Sequence, residues 1–298
     1  MSHRQKISVA RKLLRHIFTR FQPSIPFAAD QEKKGIWAAV AKAQPHTWQK
    51  HQVTLSSELQ IATPVRMLVL SDLHVGSHSN DLQRLSQIVA EVAQRQFDLL
   101  LLPGDFVNMQ VFGGGRVRPE RVARTLAPLV SKAPVFAVLG NHDSEYGADH
   151  VERCLNDIGI GVLRNSSAKC SAGSGSFYVV GLEDESTGLP DFELASRSVP
   201  DGAMIVAMAH DPANLARLPD KSMLMVSGHT HGGQVRLPWV GPVINASNAP
   251  LAWSHGHIRL GLRQLIVSAG LGTSVLPIRY RCPPEIVEIE LTTQKASP

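Results

Sequence analysis

From about residue 51 onward, short apolar runs alternate with polar segments whose apolar positions repeat with a helical period. Continuous apolar runs of this length are typical of buried strands. The predicted strands are 65–72, 97–105, 134–143, 176–184, 203–211 and 222–230, with 264–270 and 285–291 near the end of the chain. The predicted helices are 81–95, 117–131 and 147–157. This alternation predicts an α/β fold with a largely parallel sheet covered by helices.

The first fifty residues lack this pattern, so we expect two parts: an N-terminal segment and connector over 1–50, and one domain over 51–298. Residues 23–50 contain prolines, a charged "DQEKK" and a short apolar patch, and they predict a connector with at most one helix.

Residues 1–22 hold six Lys or Arg residues and no acid, and their apolar residues repeat with a helical period. These apolar positions are Ile7, Ala10, Leu13, Leu14, Ile17, Phe18 and Phe21. The pattern predicts a basic amphipathic helix, which is suited to the surface of an anionic membrane. Docking on the chain's own domain and a targeting role are the alternatives.

Composition narrows the class of protein. The net charge of +5 comes from residues 1–22, because the remaining 24 cations and 25 acids nearly cancel. A neutral body with 5% aromatic residues offers no stacking platform, so nucleic acid is not an expected partner. Three widely spaced cysteines suggest a reducing compartment, and no apolar run is long enough to span a bilayer. We expect a cytoplasmic protein, with a peripheral position on the inner face of the cytoplasmic membrane as the alternative.

Polar clusters follow five of the apolar runs. They are Asp72 with His74, Asp105, Asn141 with His142 and Asp143, His210, and His229 with His231. The last pair lies in "SGHTHGGQ" (227–234), which by itself could be a polar turn. Because the carboxyl ends of strands in an α/β sheet border the ligand crevice, we expect the clusters to converge.

Carboxylates and imidazoles without cysteine are ligands for divalent ions rather than a structural zinc set. Seven candidate ligands exceed what one ion takes, and they suit two ions roughly 3.5 to 4 Å apart. The ligands are Asp72, His74, Asp105, Asn141, His210, His229 and His231. The sequence contains no GxSxG elbow, so catalysis by a nucleophilic side chain has no support. It also contains no GxxxxGK[ST] phosphate-binding loop.

Five blocks in order resemble the calcineurin-like metallophosphoesterases. They are "SDLHVG" (71–76), "PGDFVN" (103–108), "LGNHDS" (139–144), "MAHDP" (208–212) and "SGHTHGGQ". The resemblance implies a four-layer αββα sandwich, which some schemes class as α+β, around a binuclear centre. It implies hydrolysis of a phosphodiester or pyrophosphate by a metal-bridging hydroxide.

Matched block by block, the resemblance implies a role for each residue. Asp72, His74 and His231 would bind one ion, Asn141, His210 and His229 the other, and Asp105 would bridge them. His142 would protonate the leaving group, and Asp143 would orient it. Mn²⁺ is the expected ion, with Fe, Zn, Mg and Co as alternatives.

Two features near the bridging aspartate are less regular. Many relatives carry a carboxylate where this chain has Asn108, which we expect to act beside the metal ligands by hydrogen bonding. The loop "FGGGRVRPER" (112–121) is either a surface loop or a substrate flap in which Arg116 and Arg118 meet phosphate.

The substrate is open at this point. "GHTHGGQ" followed by "GTSVLPIRYRCPPEI" (272–286) resembles a bacterial subgroup of membrane-associated phosphoesterases, some of which are UDP-diacylglucosamine diphosphatases. This favours a lipid-linked substrate. A phosphodiesterase of soluble nucleotides or nucleic acid is the alternative, and a non-catalytic protein-binding scaffold is a third hypothesis, with no protein partner indicated.

Overall fold

A computed structural model describes residues 42–57, 61, 63–109, 115–172, 175–242 and 245–294. The strands are β1 Thr47–Ser56, β2 Val65–Val69, β3 Leu99–Leu102, β4 Val135–Ala137, β5 Gly161–Val162, β6 Ser166–Ala172, β7 Gly175–Gly181, β8 Ile205–Met208, β9 Met223–Ser227, β10 Arg236–Leu237, β11 Gly241–Pro242, β12 Gly256–Leu260, β13 Arg263–Val267 and β14 Glu285–Gln294. The α-helices are α1 Asp81–Ala93, α2 Pro119–Leu126, α3 Asn141–Asn156 and α4 Phe192–Ala195. Short 3₁₀ helices cover Ala127–Leu129, Pro212–Arg217, His231–Gly233 and Leu251–Trp253.

The strands form two six-stranded mixed sheets and a small hairpin of β10 and β11. The first sheet has the order β1-β14-β2-β3-β4-β5, and the second has the order β12-β13-β9-β8-β7-β6. In the first sheet β2 to β5 run parallel while β14 is antiparallel to β2. In the second, β7, β8, β9 and β13 run parallel between antiparallel outer strands. The predicted α/β class is confirmed, but the single, largely parallel sheet is replaced by two mixed ones.

Three apolar clusters separate four layers. The apolar run of β2 is buried on both faces, so Val65, Met67 and Val69 meet the second sheet while Leu68 packs toward the helices. Helices α1, α2 and α3 cover the outer face of the first sheet. Helix α4 and the turn Pro212–Arg217 cover the outer face of the second. This is the αββα layering that the resemblance implied.

Helix α1 shows how the sequence selects this packing. Its buried residues fall at helical spacing, so they form one stripe against the first sheet. They are Asp81, Leu85, Ile88, Val89 and Val92. Burying each large aliphatic side chain contributes roughly 1.5–3 kcal/mol.

Several predicted boundaries were wrong. The strands that precede the polar clusters end three or more residues before their predicted last residues. For example, β2 ends at Val69 and β3 at Leu102, so the polar residues that follow them lie in loops. The predicted strand 134–143 is wrong at its end, because "NHD" begins α3. Strand β1 begins at Thr47, inside the predicted connector, because its polar side chains on an edge strand hide the apolar alternation. The predicted helix in 1–22 lies outside the described residues.

Candidate metal centre

The polar clusters converge because the loops after four strands continue the backbone ladders. The N–H of Asp72 donates to Gly104 O at 3.1 Å, and the N–H of His74 donates to Asp105 O at 3.0 Å. In the second sheet, Gly228 N–H donates to His210 O at 3.1 Å. These bonds align the loops after β2, β3, β8 and β9 at one edge of the sandwich, as expected for the carboxyl ends of parallel strands.

The donor atoms fall into two groups, and Asp105 of the second group also lies close to the first. Asp72, His74 and His231 place donor atoms within 4.8 Å of one another, and so do Asp105, His210 and His229. Asp105 Oδ2 lies 3.2 Å from His74 Nε2 and 3.2 Å from His210 Nε2. One carboxylate therefore faces both groups, at the position that the sequence assigned to a bridge.

The backbone of these residues is held in an unusual conformation. Five candidate ligands have positive φ between 39° and 68°, a region that non-glycine residues rarely occupy. They are Asp72, His74, Asp105, His229 and His231. Each such residue costs on the order of 1–3 kcal/mol, so the surrounding hydrogen bonds must stabilise it, and such residues concentrate at functional sites.

Several buried polar atoms at the centre fit a metal ion. Both ring nitrogens of His74 and Oδ1 of Asn141 are buried without a hydrogen-bond partner. An unpaired buried polar atom costs roughly 1–3 kcal/mol unless a ligand satisfies it. The surrounding donors are carboxylate oxygen and imidazole nitrogen, which suit first-row divalent ions.

The charges of the buried side chains also favour a metal ion at the centre. Burial would raise the pKa of Asp105, but the imidazoles of His210, His142 and His74 outweigh it and hold that pKa well below its usual range. Burial would lower the pKa of His210, but Asp105 raises it well above its usual value. The buried carboxylate thus demands a positive partner, and His210 Nδ1 is already engaged with Pro103 O at 2.7 Å.

Asp143 is bonded to backbone N–H groups from two segments of the chain. Its carboxylate accepts hydrogen bonds from the N–H groups of Asp105 at 2.8 Å, Phe106 at 2.9 Å and Gly140 at 2.9 Å. Burial and the charge of Asp105 raise its pKa to about 7. Asp143 thus caps the first turn of α3 and fixes the loop that carries Asp105, while its expected orientation of His142 stays a prediction.

His142 lies in the first turn of α3, next to both groups. Its N–H donates to Asp105 Oδ1 at 2.9 Å, and its ring meets that of His74 edge-on, with 4.7 Å between centroids. Its Nδ1 is buried without a hydrogen-bond partner and lies 3.9 Å from Glu145 Oε2. Burial lowers the pKa of His142 to about 3. A ring placed this way can exchange a proton with a molecule bound at the centre.

The turn 227–234 is built around its glycines and Gln234. A Cβ at Gly228 would overlap the carboxylate of Asp72, and His229 N–H donates to Asp72 Oδ1 at 2.9 Å. The glycine thus makes room for a protein carboxylate rather than for phosphate. The sequence offered no physical role for Gln234. Its Nε2 donates to Leu276 O and its Oε1 accepts from Ser274 N–H, each at 2.9 Å. These bonds tie the turn to the loop before β14.

Two residues of the site were not predicted. Arg279 is 4% exposed and donates to the carbonyls of Ala269, Gly270 and Gly272, while Nη2 lies 3.5 Å from His231 Nδ1. Asp211 places Oδ2 3.7 Å from His229 Nε2. The motifs "PIRYR" and "MAHDP" contain them. The sequence does not distinguish them from surface residues, because most charged side chains are exposed.

The candidate substrate contacts lie at the margin of the centre. Arg116 lines a cavity of about 470 Å³ together with His78 and Arg121, whereas Arg118 is exposed and precedes α2. Asn108 donates to Gly115 O at 2.8 Å and so holds the start of this loop. The first three residues of the predicted flap, 112–114, lie outside the described residues.

Membrane association through residues 1–22 also concerns residues outside the described part of the chain. Within the described residues, no helix has both the length and the apolar character needed to cross a bilayer.

Comparison with known proteins agrees with the site. Residues 65–233 match the family model described as calcineurin-like phosphoesterase. The chain is 31% identical to the phosphodiesterase YaeI of Escherichia coli, over 77% of this chain and 83% of the relative. It is 27% identical to the uncharacterized metallophosphoesterase YkuE of Bacillus subtilis, over 83% and 87%. The solved calcineurin-like phosphoesterase YfkN from Bacillus subtilis has a TM-score of 0.44 and 14% identity, covering 70% of this chain and 82% of that one.

Proposed function

Because the chain belongs to the calcineurin-like phosphoesterase family, and is therefore a metal-dependent phosphoesterase, we propose that it hydrolyses a phosphodiester or pyrophosphate at a binuclear centre. The position of Asp105 carries this proposal. Its Oδ2 is equidistant, at 3.2 Å, from a histidine of each donor group. A carboxylate shared in this way suits two neighbouring ions better than one.

We assign Asp72, His74 and His231 to one ion and Asn141, His210 and His229 to the other, with Asp105 between them. When bound, two divalent ions activate a water molecule for attack and offset charge on the phosphoryl oxygens. The loop bonds to Asp143 hold Asp105, and the bond from His229 N–H holds Asp72. The ion identity we propose is Mn²⁺.

His142 is the proposed proton donor to the leaving-group oxygen. Its backbone bond to Asp105 fixes it beside the shared carboxylate, and its buried Nδ1 leaves the ring available to a bound ester. Imidazole is a common general acid, and although burial lowers the pKa of His142 to about 3, a bound anionic phosphate favours the protonated ring.

For the substrate, we propose a lipid-linked pyrophosphate of the UDP-diacylglucosamine type at the inner face of the cytoplasmic membrane. The basic residues 1–22 and the sequence "GTSVLPIRYRCPPEI" support it. A phosphodiesterase acting on soluble nucleotides or nucleic acid is the second candidate, and the name of YaeI supports its phosphodiesterase activity. A non-catalytic scaffold is disfavoured, because all seven ligand positions are filled.

Hydrolysis of bis-p-nitrophenyl phosphate tests the proposal. We expect activity in wild type with Mn²⁺, loss after chelation and in Asp105→Asn, and a smaller decrease in His142→Ala, because p-nitrophenolate departs without a proton. Asp149→Asn, whose side chain is 77% exposed, serves as the matched carboxylate control and should retain activity. Inactive metal-loaded wild type on every phosphoester of a panel would overturn the proposal. The panel compares a lipid-nucleotide pyrophosphate, cyclic nucleotides, nucleic acid and phosphoprotein, and thereby selects the substrate class.

A further inference from the structure

An apolar surface extends directly from the metal-centre turn. The hairpin β10–β11 follows "HTHGGQ", and backbone bonds join Arg236 N–H to Tyr280 O and Tyr280 N–H to Gln234 O, each at 3.0 Å. These two segments expose seven apolar residues, which we call the hairpin patch: Val235, Leu237, Trp239, Val240, Leu276, Ile278 and Tyr280. A contiguous exposed apolar surface marks an interaction site.

Trp239 dominates this patch. Its relative exposure is 106%, and Val240 beside it is 69% exposed. Trp239 also has φ 65°, a conformation that is strained for a bulky residue. Indole and phenol rings with an apolar body and a polar edge are enriched where hydrocarbon meets lipid headgroups.

The stretch of sequence that contains the hairpin patch carries only positive charges. No Asp or Glu occurs from Lys221 through Pro284, a stretch of the sequence that contains five arginines. Arg236 lies between Val235 and Leu237 of the patch, and the exposed Arg281 follows Tyr280. Such a surface complements an anionic partner, because cations near an anionic bilayer strengthen binding.

The basic N-terminal segment enters the described fold at the same place. Gln44 Nε2 donates to Arg279 O at 2.8 Å, and Lys42 and Gln44 line a small cavity with Pro277 and Ile278. The described part of the chain therefore begins, at Lys42, beside a segment that carries the hairpin patch.

We propose that the hairpin patch inserts into the headgroup region of an anionic bilayer. Its position four residues after His231 places the centre next to the bilayer surface, where headgroup phosphates lie. This consequence for the substrate rests on the proposed function, whereas the membrane contact itself requires no hydrolysis.

Vesicle cosedimentation of the full-length protein tests the proposal. We expect binding to phosphatidylglycerol vesicles and weaker binding to phosphatidylcholine vesicles. The double variant Trp239→Ser/Val240→Ser should bind phosphatidylglycerol at least about tenfold more weakly, because it removes the largest exposed apolar area. Leu189→Ser is the matched control, since Leu189 is 79% exposed but lies outside the patch, and it should bind as wild type does.

A second measurement locates the contact without relying on that variant. Brominated acyl chains should quench the emission of wild type more than that of Trp239→Phe, because only the former carries an indole in the bilayer. Equal quenching, or unchanged binding of the serine variant, would overturn the proposal.

Two further outcomes also overturn it. One is loss of binding on deletion of residues 1–22 with no effect of the serine variant, which would assign binding to that segment alone. The other is a dimer that the serine variant dissociates in the absence of lipid, which would assign the patch to a second copy. His142→Ala should bind vesicles normally, so failed hydrolysis and failed membrane binding are separable.

Discussion

The carboxylate of Asp143 accepts a hydrogen bond of 2.8 Å from the backbone N–H of Asp105. Asp105 is the residue whose own carboxylate faces both histidine groups. Asp143 therefore acts on the centre by fixing the loop that carries the shared ligand.

Asp143→Asn should weaken this support. An amide offers one acceptor oxygen and turns its N–H₂ toward backbone donors, so we expect a loss of stability of about 1–3 kcal/mol. Activity should fall roughly 10- to 100-fold through the displaced Asp105. Thermal melting and turnover check both effects, with the exposed Asp157→Asn as control. Wild-type activity in Asp143→Asn would contradict this role.

The two donor groups predict a pattern of metal content. Wild type should bind about two ions per chain, and His231→Ala or His229→Ala about one, because each histidine belongs to a different group. His74→Ala/His231→Ala stays within one group and should still bind about one ion. Elemental analysis of dialysed protein measures this, and loss of both ions in each single variant would argue against separate sites.

The role of His142 predicts a dependence on the leaving group. His142→Ala should lower kcat by about 10²–10⁴-fold on alkyl esters, whose leaving oxygen needs a proton. The loss should be smaller on p-nitrophenyl esters, whose leaving group departs as an anion. Equal losses on both ester types, with metal content unchanged, would remove the assignment of His142 as proton donor.

Arg279→Lys tests a buried guanidinium. Lysine cannot reach the carbonyls of Ala269, Gly270 and Gly272 at once, so unfolding free energy should fall by about 2–3 kcal/mol. Arg281→Lys, at an exposed position two residues away, should change it by less than about 0.5 kcal/mol. Denaturant melts measure the unfolding free energy of both variants. Equal values for Arg279→Lys and Arg281→Lys would show that the guanidinium group of Arg279 is dispensable.

The sequence alone determined the fold class, the enzyme family and the chemical type of the centre. Continuous apolar runs identified β2, β3, β8 and β9, because a strand buried on both faces tolerates few polar residues. The same pattern could not place strand ends, so "NHD" was assigned to β4 although it begins α3. Edge strand β1 was hidden because its polar residues face solvent.

Only the tertiary structure decided which residues support the centre. The contacts of Asp143 with Asp105, of Asp72 with His229 and of Arg279 with the turn before β14 join segments that local patterns cannot relate. It also decided that the turn between β10 and β11 exposes Trp239. The physical reason is that apolar periodicity and motif spacing report local backbone preference. Hydrogen bonds and exposure depend on how distant segments pack.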